Sequence, residues 1–175
     1  MSTVDHAGTQ AEPQVTPKLA GIILAALVVA LTGYVAGGVS LGLEALFAGS
    51  VLLFYWAGVE HFKMNMLLAV VTGSLGGLAN GALFVVMQPF VGEGIAAVMG
   101  LGALLFAVYC LILKWLPLLF NQAYMLMLTV TLAPPILHEA KFMEMAAAII
   151  YSAVFWGGLV YILNLVKDRR AAKPV

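Results

Sequence analysis

The chain has 175 residues, 63% of them apolar and 9% charged, with equal numbers of acidic and basic side chains. A soluble domain is nearer half apolar and a quarter charged, so in water this chain would expose more apolar surface than a monomer tolerates; the composition predicts lipid as the solvent for most of it. Zero net charge argues against a nucleic-acid partner, and a lone cysteine, Cys110, excludes an intramolecular disulfide.

In chain order, residues 1–18 come first, polar and carrying Asp5, His6, Glu12, Pro13 and Pro17. They read as a disordered cytoplasmic tail. They lack the basic start of a signal peptide, and the apolar run behind them is too long for one. A bilayer core needs about 20 apolar residues per helix. Six spans are expected on that basis, at 19–39, 41–59, 65–87, 95–113, 118–133 and 145–166. The fold class is therefore an all-α membrane protein with six transmembrane helices in a domain over 19–166, followed by a basic cytoplasmic tail at 167–175. The fifth span is short, and the pair Pro134-Pro135 is expected to end it, because proline lacks an N–H and clashes with the preceding turn.

The basic residues orient this map. With both termini in the cytoplasm, Lys18, Lys63, Lys114, Lys167, Arg169, Arg170 and Lys173 all fall inside, and only Lys141 falls outside. That asymmetry over short loops predicts a membrane protein with an even number of crossings and both ends cytoplasmic. The acids Glu44, Glu93, Glu139 and Glu144 then lie at the outer face, opposed by Lys141 alone. Such a mouth attracts cations, although exposed acids more commonly do no more than solvate a surface.

Two joins resemble each other. "YWAGVEHFKMNM" (55–66) and "TLAPPILHEAKFMEM" (131–145) each hold a break at small residues or proline, a His–Glu neighbour pair, a lysine and a Met-x-Met. Each leads into a helix with a Gly-Gly pair, at 76–77 and 157–158. Three spans per half place the copies in opposite orientation, which is the inverted-repeat plan of many channels and transporters.

The candidate chemistry is sparse. Asn80 in the third span and Asn121 early in the fifth are polar groups at membrane depth, where a side chain faces either a wet pathway or a neighbouring helix as interhelical glue. Glu44 and the pair His138-Glu139 mark an outer mouth, and Glu60-His61 an inner one. Histidines there would make transport pH-sensitive. Glu44 also reads as an ordinary carboxylate at a helix N-terminus. No metal or cofactor is expected. The three Met-x-Met pairs suit soft copper only if the backbone is extended, since residues two apart on a helix diverge. Gly73, Gly77 and Gly81 form a double G-x-x-x-G, a face for close helix packing within the bundle or against a copy of the chain. Tyr34, Tyr55, Trp56, Trp115 and Tyr124 fall near span ends, as interface anchors do.

The stretches "GGVSLGLEALFAGSVLLFYWAGVEHF" and "GSLGGLANGALFVV", with the turn at 39–43, the aromatic second span and the glycine-rich third, resemble a family of small bacterial inner-membrane proteins of unknown function, domain of unknown function ten-ninety-seven. The resemblance implies a six-helix inner-membrane protein and carries over no activity and no catalytic residue.

The expected function is a channel or small secondary transporter for a small solute, a cation or a neutral polar molecule. The alternative is a non-transporting membrane scaffold or accessory subunit that docks partners through its glycine faces. A continuous polar cavity between the halves would speak for transport, and a dry, packed interior for the scaffold. No nucleophile–base pair or phosphate loop is legible, so the chain does not read as an enzyme.

Overall fold

The computed structural model describes residues 16–139 and 141–171. Among the described residues every regular element is helical: α1 (Pro17–Ser40), α2 (Leu46–Gly58), α3 (Met64–Val91), α4 (Glu93–Ile112), α5 (Gln122–Thr131), α6 (Pro134–Glu139) and α7 (Phe142–Ala171). Four of these, α1, α3, α4 and α7, are long and apolar enough to cross a membrane, and α2 is a shorter apolar helix. Most of the tail expected at 1–18 lies outside the described residues, and so does the end of the tail expected at 167–175. Beyond the extended N-cap Thr16, the described parts of both tails are helical: α1 begins at Pro17, and α7 carries the basic "KDRR" segment as far as Ala171. Proline suits the first turn of α1 because it has no N–H to leave unpaired.

Two of the expected spans are shorter as helices than as apolar runs. α2 has 13 residues, and α5 has 10, a rise of about 15 Å. The run ahead of α5 is apolar but bends through turns at 113–121, with Lys114 and Leu116 at positive φ. Pro134-Pro135 does end α5 nearby, but it also opens α6, again because a helix start tolerates proline. Between α3 and α4 the only link is Gly92, whose φ of 82° and ψ of 157° suit glycine alone.

α3 and α7, the two longest helices, pack against each other at the centre. α5 and α4 lie along α3, α2 lies along α7, and α2 also meets α5. α1 touches α7 and buries only Tyr34 and Gly38. The main core gathers Tyr34, Leu52, Trp56, Val70, Met127, Met145, Ile149 and Trp156.

Four of the five aromatics expected as interface anchors belong to this interior instead. Trp56, Tyr34, Tyr124 and Tyr55 are buried, and only Trp115 is exposed. The polar tips of Tyr34, Trp56 and Tyr124 find partners inside. The Tyr34 hydroxyl donates to the Leu46 carbonyl at 3.1 Å, and Trp56 Nε1 donates to the Lys63 carbonyl at 3.0 Å. An aromatic with a satisfied polar tip is as good a core residue as a membrane-surface one.

Candidate functional site

The seam between α3 and α5 holds most of the polar candidates. It exists because Gly73, Gly77 and Gly81 recur every four residues on one face of α3. A Cβ at Gly73 would strike the Asn121 amide, one at Gly77 the Tyr124 carbonyl and Leu128 nitrogen, and one at Gly81 the Thr131 side chain. With no Cβ at these three positions, α5 lies close on the backbone of α3.

Asn121 does not sit mid-helix. It is the N-cap of α5, and its Oδ1 accepts from the Tyr124 N–H at 3.1 Å. Its Nδ2 donates to the Ala69 carbonyl of α3 at 2.7 Å. One side chain thus caps the short helix and ties it across the seam. Asn80, half-buried on α3, donates through Nδ2 to the Tyr124 hydroxyl at 2.8 Å. Tyr124 therefore joins the two asparagines, one through its backbone and one through its ring. Its role was not evident from the sequence, which offers only an aromatic three residues after an asparagine; that spacing is nonetheless the one an N-cap uses. Asn80 Oδ1 is buried and has no partner among the described residues.

The candidates of the expected outer mouth divide. Glu44 precedes α2 rather than lying inside it, and it forms an ion pair with Lys141, just ahead of α7. Glu44, Glu139 and Lys141, with Phe47, Ile136 and Met145, enclose a cavity of about 60 Å³, room for a few waters. Lys141 holds the Glu44 carboxyl below the usual carboxylate range, first by hydrogen bonding and then by its charge. Glu44 raises Lys141 in return, and the charges of Glu144 and Glu139 add to the effect. His138 belongs to α6, and its side chain lies outside the described residues.

Glu60 and His61 occupy the turn after α2, with His61 exposed and at positive φ. The structure does not gather them with the asparagines or with Glu44. The Met-x-Met pairs lie on helices and diverge; Met143 is 85% exposed and Met145 1%. Among the described residues no group of three or more His, Cys, Asp or Glu side chains is placed to hold a metal ion.

The interior between the longest helices is packed. Gly157 lies against Leu67, and the buried polar side chains among the described residues are Ser74, Thr131 and Ser152. Ser152 donates to the Gly49 carbonyl at 2.8 Å and Thr131 to the Met127 carbonyl at 2.8 Å. Compared with protein-family models, with curated proteins and with solved structures, the chain matches none.

Proposed function

We propose that the chain is a six-pass protein of the bacterial inner membrane, with both termini in the cytoplasm, built as two inverted three-helix units that pass a small solute between them. One observation carries this reading, the reciprocity of the packing. Exchanging α1 with α4, α2 with α5 and α3 with α7 carries the α3–α5 contact onto the α7–α2 contact. The same exchange leaves the α3–α7 and α2–α5 contacts on themselves; the α2–α3 contact has no comparable counterpart between α5 and α7, and α1 meets α7 more slightly than α4 meets α3, so the reciprocity is that of the four inner helices. Two units of three spans each run in opposite senses, which is the arrangement that lets one rock against the other around a central site. The Glu44–Lys141 pair agrees with the topology, since the map puts both residues at the outer face. α6 adds a short helix to the join between the fifth and sixth spans. The likeness to the family of unknown function is part of the same proposal and adds no activity to it.

The hydrogen-bonded seam between α3 and α5 favours a second reading, a membrane scaffold or accessory subunit. Asn80 and Asn121 both hold α5 to α3, and the core is sealed by Val70, Ile149 and Trp156. Under the first reading this is a closed state, and passage requires α3 and α7 to part. Transport stands first because a scaffold has no need of reciprocal units.

Reconstituted liposomes decide between them. In a Cys110→Ala background, Leu67→Cys with Gly157→Cys places a cross-link across the closed α3–α7 contact. Protein-dependent flux of a monovalent cation or of a small neutral solute is expected, lost on cross-linking and restored on reduction. No flux of either class, cross-linked or not, leaves the scaffold reading. If transport is found, its pH profile is expected to change in His61→Gln or His138→Gln; an unaltered profile in both would remove the histidines from the mechanism.

A further inference from the structure

A second cavity lies between α3, α4 and α5, with a volume of about 210 Å³. Its walls include Phe84, Gly100, Leu101, Leu104 and Leu128, and among the described residues Asn80 is the only polar side chain on them. The Asn80 amide is half used. Nδ2 gives one of its two protons to the Tyr124 hydroxyl, and Oδ1 has no partner among the described residues. Reversing the amide would not change the balance: the Tyr124 hydroxyl can donate as well as accept, so one end of the amide is always left over. An unpaired amide end away from water is costly, and a ligand that meets it recovers that cost. Oδ1 itself is closed off in this conformation, but Asn80 lines the cavity and the last torsion of an asparagine is soft, so a hydroxyl in the cavity meets the amide once it turns away from Tyr124.

The walls also exclude. No charged side chain lines the cavity, so an ion entering it would lose its hydration with nothing in return. A cavity of about 150 Å³ takes benzene, so this one takes about eight heavy atoms. We propose that the cavity binds a small neutral amphiphile, an apolar body bearing a single hydroxyl, whose hydroxyl pairs with Asn80 and whose body lies against Phe84 and the leucines. The site stands whether or not the protein transports.

The test uses the full chain in nanodiscs with two near-isosteric probes, benzyl alcohol and ethylbenzene, followed by nuclear Overhauser contacts to labelled leucine methyls. Contacts to Leu101, Leu104 and Leu128 are expected, with benzyl alcohol bound about tenfold more tightly than ethylbenzene. Asn80→Leu should abolish that preference while ethylbenzene still binds. Ala97→Leu, on the α4 wall, should displace both probes and keeps the test decisive if the Asn80 variant does not fold. Absence of those contacts, equal affinity for the two probes, or a preference that survives Asn80→Leu would overturn the proposal. Because binding is read at equilibrium, its failure is distinct from a failure of flux.

Discussion

Tyr124 shows how little of the residue scale is visible before packing is known. As a member of an apolar run it looks like a membrane-surface aromatic. In the fold its amide is capped by Asn121 and its hydroxyl takes the Asn80 amide, because three glycines let α5 approach α3. The glycine spacing was legible, since a four-residue period places side chains on one face of any helix. The partner of that face was not, because hydropathy is the same for every apolar helix. Two substitutions test the seam. Gly77→Ala puts a methyl into the Tyr124 carbonyl and is expected to destabilise the detergent-solubilised protein by about 1–3 kcal/mol, whereas Gly158→Ala meets nothing within 4 Å and should leave the melting temperature in place. Asn121→Ala removes the cap and the bond to Ala69 together and should cost about 1–3 kcal/mol in the same thermal melt.

Elements were read well where the solvent constrains them and poorly where it does not. A helix that must span hydrocarbon announces itself by about 20 apolar residues, and α1, α3, α4 and α7 coincide with expected spans. α5 does not announce its length. "WLPLLF" before it is as apolar as a helix, yet it turns, and hydropathy carries no record of backbone conformation. Pro134-Pro135 was legible as a break but not as the start of α6, because proline punctuates both ends of helices. The α3–α4 hairpin offers an element-scale test. Gly92→Ala forces a side chain into a conformation open only to glycine, and is expected to cost about 1–3 kcal/mol. Thermal melting should show this, and an unchanged midpoint would mean that the hairpin closes in some other way.

At the scale of the whole molecule, an ion pair and a packing pattern join the two halves. Lys141 keeps the folded pKa of Glu44 low, so the carboxylate's contribution is present above its unfolded value and is lost as pH falls through the folded one. Glu44 keeps Lys141 high, so its contribution is present below the ordinary lysine value and is lost as pH rises through the raised one. The join between the α1–α2 loop and the start of α7 is therefore intact from about pH 5 to about pH 10. Carboxyl NMR of Glu44 should show an ordinary titration in Lys141→Gln and a lower one in the natural chain. The proposed repeat rests, in the sequence, on the two His–Glu joins alone; inverted units preserve packing geometry and need share few identical residues.

The most direct test of the account is the sidedness of its turns. In a Cys110→Ala background, single cysteines at Glu44→Cys, Lys63→Cys and Asp168→Cys can be challenged with a membrane-impermeant maleimide on intact spheroplasts and again after lysis. Labelling of position 44 alone before lysis, and of 63 and 168 only afterwards, is the expected result. Labelling of 168 on intact spheroplasts, or of 44 and 63 together, would contradict the even number of crossings and with it the two inverted units.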